Sequence, residues 1–260
     1  MDPLVVGLCF LFGLAFGSFA NVVIHRVPRD ESLVKPPSEC PQCETPLQWR
    51  DNIPVLSWLL LGRTCRHCGE PISVRYPLVE LATGVLFAGV GARFGLDWAL
   101  PGFLLFAWTL FVLGMIDART RRIPNRLTYP LTPVLVILIA GAAFLNGETG
   151  WAVRSMAAGV VAFLLLLTMA VINPRGMGMG DVKLAAFIGV GLGYLGWGHL
   201  VLGLFGSFLL GGVVAIALLA LRARGRKDVI PFGPYLAAGA IITVFVGEPL
   251  VSGYMDLLAI

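Results

Sequence analysis

The sequence predicts an all-α polytopic membrane protein, a bundle of about eight transmembrane helices interrupted by one small polar insert. Three observations carry this. Hydrophobic residues make up 57% of the 260 and charged residues only 13%, which is more apolar surface than a soluble domain of that length can bury. Uncharged runs of about twenty residues, enough to cross a hydrocarbon core of about 30 Å, recur along the chain. Seventeen of the nineteen Lys and Arg fall on one side of the topology those runs define.

The runs lie near 4–24, 77–94, 98–116, 127–145, 151–172, 182–198, 199–221 and 231–250. Asp2, not a basic cluster, precedes the first, and no small-residue cleavage site follows, so residues 1–24 are expected to persist as the first transmembrane helix. Residues 25–76 have soluble composition, with Pro28, Pro36, Pro37, Pro41, Pro46 and Pro54 and four of the five cysteines. They form an inserted loop domain, and 77–260 form the rest of the bundle. Short connections there favour antiparallel neighbours. Within 182–221 only Gly196, Trp197, Gly198 and His199 mark a turn, so two spans or one bent helix both fit. Gly13 with Gly17, and Gly189 with Gly193, have the spacing that lets helix backbones pack closely in lipid. No internal repeat or low-complexity tract is visible.

With the amino terminus outside, segments 25–76, 117–126, 173–183 and 222–230 share a side and hold seven, four, two and four Lys or Arg. Arg93 and Arg154 fall opposite. The positive-inside rule puts the rich side, and with it the 25–76 loop, in the cytoplasm. The net charge of +4 therefore reports topology; the expected partner is the lipid bilayer, and no nucleic acid.

Cys40-Pro-Gln-Cys43 and Cys65-Arg-His-Cys68 are two C-x2-C knuckles separated by twenty-one residues. Four thiolates so spaced suit a structural, tetrahedral Zn2+, which would supply folding energy that so small a module cannot draw from a core. Two disulfides are the alternative, disfavoured in a reducing cytoplasm. His67 sits inside the second knuckle, where four sulfurs already complete a site. Cys9, alone in the first span, reads as a buried apolar residue.

Asp117 follows the third span and Asp181 opens the sixth, both at the cytoplasmic end and at matching depth. Ionisable groups at the edge of hydrocarbon are costly and usually face a bundle interior or wet cavity. Simpler roles compete: Asp181 can cap a helix starting at Val182, and Asp117 can pair with Arg119, Arg121 or Arg122. The run Gly176-Met177-Gly178-Met179-Gly180 before Asp181 offers a closely approachable backbone that could lie against an extended peptide. It is neither a P-loop nor a dinucleotide fingerprint. Glu80, early in the second span, can contribute to a site or serve as an interhelical hydrogen bond. Lys183 and the arginines of 119–126 can anchor at headgroups or meet substrate acids.

Gly178-Met179-Gly180-Asp181 resembles the GxGD motif of intramembrane aspartic peptidases, and its surroundings resemble the bacterial type IV prepilin peptidases. The likeness runs through Gly17-Ser18-Phe19-Ala20-Asn21, Arg26 and Pro28, both knuckles, Arg50 to Trp58, Arg75-Tyr76-Pro77-Leu78-Val79-Glu80, Asp117 with Ile123-Pro124-Asn125, and Gly180-Asp181-Val182-Lys183. It implies that Asp117 and Asp181 form a catalytic dyad. Gly178, Gly180 and Lys183 would then meet substrate. It further implies prepilin or pseudopilin substrates of type IV pili or type II secretion, cut after a short basic leader. The new amino terminus would be N-methylated from S-adenosyl-L-methionine, with methylation assigned largely to the amino-terminal part. The enzyme would lie in the bacterial inner membrane with its active site at the cytoplasmic side. Two other classes remain: a proton-coupled transporter with a regulatory zinc module, and a membrane scaffold in which the aspartates only cap helices.

Overall fold

The computed structural model describes residues 2–174, 176–221 and 230–257. Arg175, Arg222, Arg224, Arg226 and Lys227, five of the cations used to orient the chain, lie outside the described residues. The described chain contains α1 (Pro3–Arg26), the short α2 (Leu56–Leu60), α3 (Arg75–Phe94), α4 (Leu100–Thr120), α5 (Asn125–Leu145), α6 (Thr149–Ile172), α7 (Met179–Leu195), α8 (Trp197–Ala220) and α9 (Gly233–Leu257). All of the long helices except α7 are apolar and long enough to cross a membrane. This is a multi-pass membrane protein.

Two compact units divide the chain, residues 1–96 and 97–260. In the first, α1 packs against α3 through the small residues singled out above. A Cβ at Gly17 would lie 2.5 Å from the Glu80 Cα, and one at Gly13 would lie 2.7 Å from the Thr83 carbonyl oxygen. The backbones are therefore in contact, as the glycine spacing predicts. Cys9 is buried in the same seam, its sulfur against Gly91.

The second unit is built around α7. Every residue from Phe187 to Tyr194 is buried, the signature of a helix covered on all sides by protein. With 17 residues it spans about 25 Å, so the shortest long helix is the one neighbours shield most. Phe106 of α4 stacks on Phe187 at 5.6 Å between centroids. On α6, the Ala158 carbonyl oxygen would be 2.5 Å from a Cβ at Gly189. Arg154 reaches from α6 to the end of α7, its Nε donating to the Gly193 carbonyl at 2.7 Å.

The open question over 182–221 resolves as two helices. Gly196 adopts φ 151° and ψ 165° between them, a conformation that favours glycine and ends α7. Several helix ends differ from expectation, the largest difference being at α9, which runs past 250 to Leu257; two others bear on the aspartates. α4 runs past 116 to Thr120, where Arg121 at φ 54° caps it by donating its N–H to the Asp117 carbonyl. α7 starts at Met179 instead of 182, because Gly178 in extended backbone is its N-cap. Both aspartates therefore lie inside helical turns, not at their margins.

These contacts predict that Gly189→Val lowers the thermal unfolding midpoint in detergent by the equivalent of about 1–3 kcal/mol, the usual cost of overpacking. Gly150→Ala, whose Cβ would meet nothing within 4 Å, should leave the midpoint unchanged.

Candidate active site and metal centre

The cysteines are organised by two hairpin knuckles that share one hydrogen-bond pattern. In the first, the Cys40 amide donates to the Thr45 carbonyl, the Glu44 amide to the Cys40 carbonyl and the Leu47 amide to the Ser38 carbonyl. In the second, Cys65 donates to Glu70, Gly69 to Cys65 and Ile72 to Arg63. The isolated bridges Glu39–Pro46 and Thr64–Pro71 match as well. This is an internal repeat that the sequence reading missed, because across residues 39–47 and 64–72 only two cysteines and one proline coincide. Glu44 and Gly69 occupy the same left-handed position, at φ 54° and 74°.

The four sulfurs lie within 4.8 Å of one another, with Cys40 and Cys68 sulfurs 3.8 Å apart. A tetrahedron with metal–sulfur bonds of about 2.3 Å has edges of about 3.8 Å, whereas a disulfide requires about 2.05 Å. All four are free thiols, so the geometry is that of a metal site. Hydrogen bonds from Thr45 hold the Cys43 thiol down at about 6, whereas desolvation and the neighbouring thiols push Cys68 up to about 12, so the cluster without a metal favours a thiolate at Cys43 and a thiol at Cys68. Arg66, inside the second knuckle, grips buried Asp51 with Nη2 at 2.7 Å from Oδ1 and Nε at 3.1 Å. That hydrogen-bonded guanidinium keeps the Asp51 carboxyl below the usual carboxylate range.

In the second unit α4 and α7 run antiparallel, which brings Asp117, in the last turn of one, to the end where Asp181 sits in the first turn of the other. Asp117 is 5% exposed. Its Oδ2 accepts the Gly233 amide at 3.0 Å, from the start of α9. The alternative pairing with Arg119, Arg121 or Arg122 is not seen among the described residues, where its hydrogen-bond partner is this amide. Asp181 Oδ2 accepts the Gly178 amide at 3.2 Å, so it does cap its own helix. The capping role weighed for Asp181 is therefore present in the structure.

Ile123, in the connection between α4 and α5, lies against Gly180, where a Cβ would be 3.0 Å from that of the isoleucine. Gly178 is exposed and Gly180 half-buried. Lys183 Nζ donates to Asn125 Oδ1 at 2.9 Å and lies 4.8 Å from the Tyr129 ring centre. Glu80 sits in the first unit. Its carboxylate accepts the Val55 amide at 2.7 Å, a tie to the polar loop, while its backbone lies against Gly17 of α1.

Gly233 escaped the sequence reading. A Cβ there would lie 2.7 Å from Asp117 Oδ2, so only glycine lets this amide reach the carboxylate. The available signal was Pro231-Phe232-Gly233-Pro234, a glycine between prolines where a span begins.

Two carboxylates, one buried and one half-buried, at one end of a helical bundle, in a chain that also carries a four-cysteine module, define a class of membrane protein with groups suited to acid–base chemistry. Family models narrow it. The chain belongs to the type IV leader peptidase family, whose model matches residues 104–216; a model of the bacterial peptidase A24 N-terminal domain matches residues 11–94. A prepilin leader peptidase/N-methyltransferase of Aeromonas hydrophila is 37% identical over 279 residues, covering 97% of this chain and 94% of the relative. Proteins of the same name from Pseudomonas aeruginosa and Bacillus subtilis are 34% and 33% identical, over 98% and 97% of this chain and 95% and 99% of their own lengths. No solved structure matches.

The four-sulfur geometry predicts about one tetrahedral metal ion per purified chain. Replacing Cys40 and Cys43 together with Ser should bring metal content, read by elemental analysis, close to zero and lower the thermal midpoint. Unchanged folding without metal would rule out a structural role.

Proposed function

We propose that this protein is a prepilin peptidase in which Asp117 and Asp181 act as an aspartic dyad, and that it then N-methylates the amino terminus it creates. The observation that carries the reading is the placement: Asp117 in the last turn of α4 and Asp181 in the first turn of α7 come from different helices to the same end of the unit, and each is steadied by one backbone amide. The family and the names of its relatives supply the substrate class, type IV prepilins or pseudopilins. The site is proposed to face the cytoplasm across the bacterial inner membrane, where a basic leader stays outside the bilayer while the apolar helix behind it is embedded.

Two like charges at the edge of hydrocarbon cannot both ionise cheaply, so the pair retains one proton. The ionised aspartate takes a proton from water, whose oxygen attacks the scissile carbonyl carbon; the protonated partner donates to that carbonyl oxygen. Collapse breaks the C–N bond, and the departing amine leaves with a proton from the dyad. Gly178, Gly180 and Lys183 are proposed to face the extended leader, with Asn125 and Tyr129 steadying the lysine. The metal is proposed to be structural Zn2+, because four sulfurs leave no open position for water. S-adenosyl-L-methionine, when bound, supplies an electrophilic methyl group to the new amine.

Incubation with a model prepilin, with and without S-adenosyl-L-methionine, followed by mass spectrometry should yield the leaderless product, heavier by one methyl when the donor is present. Asp117→Asn and Asp181→Asn should each lose as much cleavage as the double variant, since a pair acting as a unit is not additive. Substantial turnover by either folded single variant excludes the dyad and favours a capping or ion-pair role for the aspartates.

Cleavage should follow a bell-shaped pH profile, falling on the acid side when both carboxyls hold protons and on the alkaline side when both are ionised. Gly233→Ala should cut cleavage about tenfold or more, the loss of a hydrogen bond to a charged group. If it leaves both rate and pH profile unchanged, the amide does not position Asp117.

A further inference from the structure

The polar loop of the first unit holds one stretch that is not polar. Residues 53–62, between Asn52 and Arg63, carry no charge. A run of this length is too short to cross a bilayer and is that of an interfacial or re-entrant segment. Neither the cleavage chemistry nor the four-sulfur cluster uses it.

Its two faces differ. On one, Ser57, Trp58 and Leu61 line a cavity within the unit, and Trp58 Nε1 donates to the Ile72 carbonyl at 3.0 Å, which fastens this face to the second knuckle. On the other, Ile53, Leu56, Leu59 and Leu60 are 37, 48, 57 and 77% exposed. The spacing of Leu56, Leu59 and Leu60 is that of one side of a helix. Four large apolar side chains exposed on one short segment are a patch, not the scattered residues of an ordinary surface. Trp49, 83% exposed, and the exposed Arg50 and Arg63 flank it; these residue types settle at headgroup level.

Glu80 sets the depth of this segment. The Val55 amide, next to Leu56, donates to Glu80 Oε2 at 2.7 Å. Glu80 lies five residues inside α3 from Arg75, about 7.5 Å along the helix axis, and its Cα backs onto Gly17 of α1. Both helices are long and apolar enough to cross a membrane, and α3 leaves Leu78 and Leu81 exposed on either side of Glu80. The loop is thus joined to spanning helices at both ends and again in its middle, and the middle attachment reaches a residue inside a span. Val55, though β-branched, holds φ 63° and ψ −49° to make that bond, a conformation that persists only where its surroundings over-determine it.

We infer that residues 53–61 are an interfacial segment whose exposed leucines dip into the acyl chains of the adjoining leaflet, with Trp49, Arg50 and Arg63 among its headgroups, so that the cysteine module is moored to the bilayer through α2. A lipid surface is the occupant this geometry selects. Bilayer surrounds the exposed faces of α1 and α3 at the level of Glu80 whether or not a substrate is present, and the cationic rim complements lipid phosphates. The mooring leads straight to the cysteines, because the Arg63 carbonyl accepts the Ile72 amide of the second knuckle. None of this depends on what the aspartates do.

Photo-crosslinking of the full-length protein in phospholipid vesicles tests it. Benzoylphenylalanine replaces, in separate variants, Leu59, Leu60, Val85, which is exposed midway along α3, and Glu70, which is exposed in the second knuckle. Each variant is first shown to be folded by its thermal midpoint and metal content. After irradiation, mass spectrometry should find the chain heavier by one phospholipid for the probes at Leu59 and Leu60, as for that at Val85, and unshifted for that at Glu70. Loss of the lipid adduct at both leucines while Val85 still gives it overturns the assignment, and so do cross-links there that join two copies of the chain. An equal adduct at Glu70 also overturns it, since the contact would not be particular to this segment. If a model prepilin added to the vesicles replaces lipid as the cross-linked partner, the segment is a peptide-docking face and the lipid assignment falls.

Discussion

A carboxylate at the margin of a bilayer needs a hydrogen-bond donor that cannot leave, and the two units meet this need in the same way. Asp117 takes the amide of Gly233, Asp181 that of Gly178, and Glu80 that of Val55. A backbone N–H carries no charge to desolvate and no rotamer freedom to lose, and its position is fixed by the helix or turn it belongs to. An arginine would bring a second ion whose desolvation costs several kcal/mol. Choosing amides leaves each carboxylate held but not neutralised by a salt bridge, which keeps it available for proton chemistry.

That arrangement depends on helices standing unusually close together. In hydrocarbon there is no hydrophobic drive between apolar helices, so contact comes from packing small residues. Gly17 against Glu80 and Gly189 against Ala158 bring backbones to within the reach of a single missing Cβ. The consequence in the second unit is that α7 is wholly surrounded, and the helix bearing Asp181 is the least able to tilt or slide. A reacting group gains from such rigidity, because misplacement by about 1 Å can cost catalysis about a hundredfold.

Much of this was legible in the sequence. Hydrophobic run length located the helices to within a few residues, since the bilayer sets that length physically. The C-x2-C spacing picked out the four cysteines whose sulfurs the structure brings together, because a tight turn presents two sulfurs side by side. The aspartates stood out as ions where ions are expensive. What was not legible depended on partners distant in sequence or on conformation. Gly233 lies 116 residues from Asp117, and a glycine near prolines looks like any turn. The break at Gly196 depends on a backbone angle that composition leaves open. The length of α4 was misjudged by treating Asp117 as the point where hydrocarbon ends, whereas a buried acid can sit a full turn inside. The two knuckles show in the sequence, but only the hydrogen-bond pattern shows that they are built alike over nine residues, since six of those positions differ.

Those twin knuckles make the metal site a chelate assembled from two equivalent bidentate halves. Either half alone presents two sulfurs and holds a divalent ion weakly. Once one has captured it, the other arrives at an effective concentration set by the twenty-one-residue segment between them, so closure is intramolecular and favoured by tether length instead of by new contacts. Cys40, Cys43, Cys65 and Cys68 would hold an ion as one four-sulfur set, so loading of such a site would be cooperative, the polar loop clasped at both ends or at neither.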